Sequence, residues 1–186
     1  MRQAAAVAAA GAAAGAAAVS IEDQAFPKRC GHLEDKELIP LDDYLPKIRA
    51  AADARRDQDF MIIARTDARA SLGFEEAVKR CNAALKAGAD VAFLEAPQSM
   101  AEVAAAPREI NGPCLLNVVR GGKTPEIAFT KAKEMGYLKA DDIIIANPNE
   151  LLYVAKQQAL SLLESGFKPP LDTPFKVVGK AGYANI

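Results

Sequence analysis

The chain has 186 residues, of which 51% are hydrophobic and 25% charged, a balance that fits one globular domain and excludes a wholly disordered chain. Lysine and arginine total 23 against 24 acidic residues, so the net charge of −1 gives no support for a nucleic-acid partner. Three cysteines, Cys30, Cys81 and Cys114, suit a reducing, cytoplasmic compartment better than a disulfide framework. The single histidine, His32, excludes any site built from two histidines.

The N-terminal segment, residues 1–18, is almost entirely alanine and carries no charge after Arg2. Alanine favours helix, so this segment is predicted to be an alanine-rich helix that packs against another element. A cationic start before an apolar run is also the pattern of a signal peptide, which stays open as an alternative. A membrane span is disfavoured, because a span needs about 20 strongly apolar residues.

Beyond residue 18, short apolar runs alternate with longer helical segments. The runs are aliphatic without polar alternation, which is the pattern of strands buried on both faces of a parallel sheet. The predicted strands are 18–21, 60–64, 91–94, 114–118 and 143–146. A helical segment follows each strand, so the predicted fold class is α/β, with about five βα units in one domain over residues 19–167.

The helices between the strands carry end signals. Gly88 is a plausible left-handed stop for the helix predicted over 74–87, and Ser99 begins a capping box. Thr124 and Pro125 have the pattern of an N-cap followed by the first helical residue. The other predicted helices are 41–56 and 149–165, and the proline-containing tail 168–186 is predicted to be an extended arm.

Polar residues stand at the carboxyl end of every predicted strand, where α/β proteins place their chemistry. They are Glu22, Asp23, Gln24, Arg65, Thr66, Asp67, Glu95, Asn117 and Asn147. Arg65 is suited to bind a substrate carboxylate through two parallel hydrogen bonds, although a salt bridge to Asp67 or Glu95 fits the sequence equally well. Glu22, Asp23 and Glu95 could ligate Mg²⁺, and structural salt bridges would explain them as well.

The first strand is followed by a loop of about 18 residues, a length typical of a lid in a compact βα unit. Cys30 lies in this loop beside Lys28, Arg29 and His32, whose positive charge would stabilise a thiolate. An accidental surface cysteine remains the alternative. Cys81 and Cys114 fall in a helix face and a strand, so both are predicted to be core residues.

Several stretches, taken together, are similar to the isocitrate lyase / phosphoenolpyruvate mutase family, and to its lyase branch in particular. They are SIEDQAFPKRCGH (20–32), KIRAAADARRDQDFMIIARTDARA (47–70), AGADVAFLEAP (87–97), LLNVVRGGKTP (115–125) and, weakly, EMGY (134–137). The resemblance implies a (β/α)8 TIM barrel, here present in part. It also implies bound Mg²⁺ or Mn²⁺, a small dicarboxylate substrate, a homo-oligomer and no membrane partner.

The resemblance also implies roles for individual residues. Cys30 matches the lid cysteine that protonates an enolate, and the other lid residues with implied catalytic roles are Lys28 and His32. Substrate contacts are implied for Gly31, Arg65, Glu95, Asn117, Val118 and Val119. Glu22 matches an acid that reaches the metal through water.

The implied reaction is a retro-aldol cleavage of a 2-hydroxy dicarboxylate into a 2-oxo acid and a second dicarboxylate. Oxaloacetate hydrolysis at the same site is one alternative. The other is a catalytically impaired remnant that acts through partner contacts, because the family's first three strands and its DxDxG aspartate cluster have no counterpart here. Tyr153 stands where tricarboxylate lyases carry an arginine, which favours a smaller acid such as a 2-alkylmalate.

Overall fold

The computed structural model describes residues 2–13, 16–32, 35–118 and 122–137. All of them belong to residues 1–147, the first of the two units into which the chain divides. The strand predicted at 143–146, the helix at 149–165 and the tail at 168–186 lie outside the described residues, as does Tyr153.

Four parallel strands form one sheet in the order β1-β2-β3-β4. The strands are β1 Ala18–Glu22, β2 Met61–Thr66, β3 Val91–Leu94 and β4 Cys114–Leu115. Each is predicted from the sequence within a few residues. The second strand continues to Thr66 because Glu22 pairs with Arg65 on one side and Leu94 with Thr66 on the other. The fourth strand stops at Leu115, opposite Phe93, close to the point where β3 leaves the sheet.

Helices alternate with the strands, so the described residues form consecutive βα units, the repeating unit of the TIM barrel that the resemblance implies. The helices are α1 Arg2–Ala13, α2 Leu41–Ala54, α3 Ala68–Ser71, α4 Phe74–Lys86, α5 Met100–Glu109 and α6 Phe129–Glu134. The short α3 was not predicted, since four residues carry no helical repeat. None of the helices in these described stretches is both long and apolar enough to cross a membrane.

The alanine-rich helix α1 gains its stability from packing, as its composition predicts. Ala8 is fully buried in one core cluster with Tyr44 and Ile48 of α2. Gly11 stands so close to the Phe60 ring that an added Cβ would lie 3.3 Å from it. Small side chains therefore let α1 approach its neighbours closely.

Helix ends follow the predicted signals in two places and depart from them in one. The Ser99 side chain accepts a hydrogen bond from Glu102 N at 3.2 Å, and Gly88 has a left-handed φ of 110°. The prediction of a helix starting at Pro125 is wrong, because α6 begins at Phe129. The preceding segment instead contacts the lid, where Lys123 N donates to His32 Nδ1 at 3.0 Å.

The core lies on both faces of the sheet. Ile63, Val91, Phe93 and Leu115 form a cluster on one face, while the helices pack on the other. Cys81 and Cys114 are buried in the helix-covered core, which confirms their predicted place. Burial raises the pKa of both thiols, so they act as small apolar groups.

Candidate active site

The carboxyl ends of the four strands meet at one rim of the sheet, because parallel strands in register end side by side. Glu22 ends β1 and Arg65 stands beside it in β2, while Glu95 and Asn117 follow β3 and β4. The rim predicted from the sequence is therefore observed for these strands. Asn147, the fifth predicted rim residue, lies outside the described residues.

The Arg65 guanidinium is the central cation of this rim. Its Nε and Nη2 donate to the Asp67 carboxylate at 2.9 and 3.0 Å, and its Nη1 lies 3.7 Å from Glu95 Oε2. The group also stands over the Phe93 ring, 5.3 Å from its centroid. Burial acts to lower the pKa of Arg65, but the bonds to Asp67 and the charge of Glu95 outweigh burial and raise it. The guanidinium is therefore a permanent charge held in a fixed plane.

Glu95 is an almost fully buried acid, with 2% of its surface exposed. Its Oε1 accepts a long hydrogen bond from Asn117 Nδ2 at 3.4 Å, and its Oε2 has no hydrogen-bond partner. Burial raises the pKa of Glu95, and the charge of Arg65 and the bond from Asn117 offset only part of that effect. An orphaned carboxylate oxygen beside a guanidinium can accept a proton or a hydrogen bond from a ligand.

The loop after β1 is closed at its base into a flap. Ala25 N donates to Glu37 O at 2.8 Å and Ile39 N donates to Asp23 O at 2.9 Å. Inside the flap, the Gln24 side chain bonds both the backbone N and O of Arg29, at 2.8 and 2.9 Å. The described residues of the predicted lid thus form a flap that is anchored at its base.

The tip of this flap rests on the strand-end rim. Gly31 lies so close to Glu95 that an added Cβ would stand 2.3 Å from Glu95 Cγ. His32 Nε2 lies 3.1 Å from Glu95 Oε1 without the alignment of a hydrogen bond, while Nδ1 accepts from Lys123 N. Nδ1 is therefore unprotonated, and Nε2 carries the proton of the neutral ring. Burial, followed by the charge of Lys36, lowers the pKa of His32 and favours this neutral form.

The remaining predicted site residues occupy different positions. Lys28 Nζ lies 2.8 Å from Glu22 Oε1, so this lid cation reaches the end of β1. Cys30 is exposed on the flap, one residue before Gly31. Val118 is half-buried one residue after Asn117, and Val119 lies outside the described residues. The flap thus brings Lys28, Gly31 and His32 to the rim, with Cys30 exposed beside them.

Two groups that sequence reasoning missed support the site. Lys36 is buried and its Nζ donates to Gly31 O at 2.5 Å, which holds the flap tip. Arg80 of α4 is buried against Asp23, with Nη1 3.0 Å from Oδ2. Arg80 had a usable signal, since it stands at helical spacing from the buried Ala77 and Ala84 and thus on an apolar face. Lys36 had no such signal.

The carboxylates of the described residues do not form a magnesium site by themselves. Between residues 2 and 137, leaving out 14–15, 33–34, 119–121, no three metal-ligating side chains cluster closely enough to hold an ion. Glu22 faces Lys28 and Arg65, at 2.8 and 3.5 Å. Asp23 accepts bonds from Thr66, Asp67 and Arg80. Its oxygens are therefore engaged within the protein.

A partial barrel with a fixed guanidinium, a buried acid and a basic flap at its carboxyl rim defines the class of protein: a TIM-barrel protein with charged groups at the end of the barrel where this fold places its chemistry. Comparison with known proteins shows to which TIM-barrel family the chain belongs. Residues 1–161 match the family profile described as phosphoenolpyruvate phosphomutase, and the chain belongs to this phosphoenolpyruvate mutase/isocitrate lyase family.

Named relatives include lyases and mutases. The chain is 49% identical to 2-methylisocitrate lyase of Aeropyrum pernix over 120 residues, 64% of this chain and 38% of that protein. It is 39% identical to 2,3-dimethylmalate lyase of Eubacterium barkeri over 144 residues, 77% of this chain and 48% of that one. The chain thus spans less than half the length of these two relatives.

Solved structures agree with this assignment. Oxaloacetate acetylhydrolase in complex with 3,3-difluorooxalacetate superimposes with a TM-score of 0.71 at 37% identity, covering 92% of this chain and 59% of that one. Phosphonopyruvate hydrolase in complex with oxalate and Mg²⁺ gives a TM-score of 0.59 at 27% identity, covering 94% and 60%. Both relatives therefore bind small acids, and the second holds Mg²⁺ together with oxalate.

Proposed function

We propose that this chain carries the flap and anion-binding rim of a carbon–carbon lyase, and that the whole protein cleaves a small 2-hydroxy dicarboxylate. Cleavage divides the two carboxylates of such a substrate, so the products are a 2-oxo acid and a monocarboxylate, and the second dicarboxylate expected from the resemblance would need a tricarboxylate substrate. One observation carries the proposal: the turn of Gly31 and His32 rests on Glu95, beside the Arg65 guanidinium. A cysteine-bearing flap and a carboxylate-binding arginine therefore serve the same rim.

Substrate binding in this proposal depends on Arg65. Asp67 holds its Nε and Nη2, which leaves Nη1 on the side where Glu95 lies. A substrate carboxylate arriving there exchanges weak 3.7 Å pairing with Glu95 for a charge-assisted hydrogen bond. Because the guanidinium plane is already fixed, little side-chain entropy is lost on binding.

The bond-breaking step needs one base and one acid. A base removes the proton of the 2-hydroxyl, the oxygen electrons form the carbonyl, and the carbon–carbon bond electrons pass to the departing enolate. Cys30, exposed on the flap, is proposed to donate its thiol proton to the enolate carbon and become a thiolate. Arg65 stabilises the negative charge that develops on the oxygens. Lys28 is proposed to supply positive charge to the flap, and the neutral His32 ring is proposed to keep the flap tip in place through its bond from Lys123 N.

The proposal includes Mg²⁺, which is required for tight binding of the substrate anion. Glu22 is proposed to reach the ion through water, because its carboxylate is at the rim end of β1. The other oxygen ligands would come from parts of the protein that are not among the described residues. When bound, Mg²⁺ would polarise the substrate oxygens as a Lewis acid.

A second candidate is hydrolysis of oxaloacetate, favoured by the similarity to oxaloacetate acetylhydrolase at 37% identity. In that reaction water adds to the 2-oxo carbon and loses a proton, the adjacent carbon–carbon bond breaks, and the departing carboxylate enolate takes up a proton. Both reactions use the anion-binding rim, so they differ in the first step, which is deprotonation of a 2-hydroxyl in one and attack by water in the other, and not in the binding residues. A substrate panel of 2-alkylmalates and oxaloacetate separates the two.

Calorimetric titration with oxalate, a mimic of the 2-oxo acid enolate, tests the binding part of the proposal. We expect Mg²⁺-dependent binding by the purified chain, weakened at least tenfold in Arg65→Gln because a charge-assisted bond is lost. Arg49→Gln, an exposed position of α2, is the matched control and should bind as the wild type does. Absence of any Mg²⁺-dependent heat would favour the impaired remnant.

Cys30→Ser tests the proposed acid. A hydroxyl is a far weaker acid than a thiol, so lyase turnover should fall by about two orders of magnitude or more. Oxalate affinity should stay within twofold, because Cys30 holds no ligand in this proposal. Equal turnover in wild type and variant would contradict the lyase assignment and move it to hydrolysis.

A further inference from the structure

A set of buried polar groups lies directly behind the Arg65 guanidinium. Asp23 is fully buried at the end of β1, and its Oδ2 accepts from Thr66 Oγ1 at 2.5 Å and from Arg80 Nη1 at 3.0 Å. Its Oδ1 accepts from the backbone N of Asp67 at 2.9 Å. Both carboxylate oxygens are therefore used, and they join β1, β2 and α4.

This set continues into the candidate site through Asp67. Its backbone N is fixed by Asp23, and its side chain binds Arg65 through two hydrogen bonds. Asp67 is itself buried, so the plane of its carboxylate cannot rotate freely. Displacing Asp23 would therefore shift Asp67, and through it the guanidinium.

The same pair also anchors the flap. Arg80 Nη1 donates to Ile39 O at 3.1 Å, and Ile39 N donates to Asp23 O at 2.9 Å. Ile39 lies at the base of the flap, next to the bridge between Gln24 and Leu38. One buried ion pair thus contacts the flap base and the strand end that holds the guanidinium.

Stability alone is a poor explanation for such a pair. Burying two charges costs several kcal/mol each, which the attraction between them only roughly repays. A well-packed apolar pair would serve the core equally well or better. The pair is explained if it fixes the geometry of the charged groups at the rim, because a preorganised site needs supporting residues around it.

We propose that Asp23 and Arg80 are positioning residues, which orient Arg65 through Asp67 and fix the flap base at Ile39. The inference rests on the proposed function, because Arg65 needs a fixed plane only if it binds a substrate carboxylate. Neither Asp23 nor Arg80 touches the substrate. Their effect is on the preorganisation of the site.

Two measurements on the full chain test this inference, hydrogen exchange of the Arg65 Nε–H followed by NMR and the dissociation constant for oxalate with Mg²⁺. In Asp23→Asn, we expect Nε–H exchange to be at least tenfold faster and oxalate binding at least tenfold weaker. Arg80→Lys should give the same changes to a smaller degree, since one donor remains. Glu76→Gln, which removes the charge of the half-buried second partner of Arg80 and leaves Asp23 in place, is the matched control and should change neither.

Thr66 provides the milder variants should Asp23→Asn fail to fold. Thr66→Val removes one donor to Asp23 with almost no change of shape, and Thr66→Ser keeps that donor. Faster Arg65 exchange in Thr66→Val, with recovery in Thr66→Ser, would support the inference. Unchanged exchange in Thr66→Val and Arg80→Lys would overturn it. If the wild type binds no oxalate, the proposed function fails, and the exchange measurement still decides the positioning role.

Discussion

Gly31 is the residue through which the flap touches the rim. Its missing side chain lets the backbone approach Glu95 more closely than any other residue could, since an added Cβ would meet three atoms of Glu95 at 2.3 to 2.5 Å. Lys36 holds the same turn from the other side by donating to Gly31 O. The position of the flap tip therefore depends on a glycine and a buried lysine.

Replacing Gly31 by alanine should move the flap tip away from Glu95. We expect Gly31→Ala to weaken oxalate binding at least tenfold and to cost about 1–3 kcal/mol of unfolding free energy, the usual cost of overpacking. Gly73→Ala is the control, because nothing lies within 4 Å of an added Cβ there. Because Gly73 has a φ of 92°, Gly73→Ala should lower the free energy of unfolding by about 1 kcal/mol. Its oxalate affinity should not change. Unchanged binding by Gly31→Ala would contradict the contact.

Glu95 should also make stability depend on pH. Burial raises its folded-state pKa above its unfolded value, so between these two values the folded chain binds more protons than the unfolded chain. This group's contribution to stability therefore falls as the pH rises through that window. Urea unfolding at a series of pH values should show a smaller fall in Glu95→Gln, which cannot ionise. This prediction is wrong if the free energy of unfolding of Glu95→Gln falls with rising pH as steeply as that of the wild type.

At the scale of elements, α5 shows how a local side chain sets the start of a helix. Ser99 caps α5 by accepting from Glu102 N, and Gln98 N donates to Glu102 Oε2 at 2.8 Å, so the returning bond of the predicted capping box comes from the residue before the N-cap. Thr124, which has the same kind of signal, is buried with its Oγ1 unpartnered, and α6 starts later. The difference is that the backbone beside Thr124 is bonded to the flap through His32.

Removing the cap of α5 should be a purely structural change. Ser99→Ala is expected to lower the free energy of unfolding by about 1 kcal/mol, as for other N-caps, while Ser99→Asp retains the acceptor and the stability. Ser71→Ala, at an exposed position of α3, should change stability by less than about 0.5 kcal/mol. Chemical denaturation measures all three. A loss in Ser99→Asp equal to that in Ser99→Ala would argue against the cap.

Over the molecule, the two ends of the sheet serve different purposes. The carboxyl ends carry Arg65, Glu95 and the flap, whereas the amino ends carry a pair between Arg55 and Asp90. Asp90 Oδ2 accepts from Ile62 N at 2.7 Å and lies 2.5 Å from Arg55 Nη1. In a TIM barrel, groups at the amino ends contribute to stability rather than to chemistry.

This difference between the two ends of the sheet predicts that stability and oxalate affinity can be changed separately. Asp90→Ala leaves the backbone N of Ile62 without its acceptor and the Arg55 guanidinium with only Phe60 O, so it should cost about 1–3 kcal/mol of unfolding free energy. Oxalate affinity should remain within twofold, in contrast to Arg65→Gln. Asp53→Ala, an exposed acid of α2, controls for the loss of charge. A parallel loss of affinity in Asp90→Ala would mean that the two ends are coupled.

The whole protein's activity, its homo-oligomeric state and its cytoplasmic location stay predictions, since the chain spans 38% and 48% of the two lyases compared with it. Four described strands provide part of one rim, and an eight-stranded barrel needs further strands to close. The substrate class and the metal ligands depend on that closure.

The sequence by itself determined the α/β alternation, the positions of the strands, the polar rim and the family, because each of these is written in local runs and spacings. Tertiary structure alone decided which charges meet. Arg80 reaches Asp23 across 57 positions, His32 meets Lys123 across 91, and a parallel register sets Glu22 beside Arg65. Such contacts depend on how elements pack in space, and no local pattern encodes the partner of a buried charge.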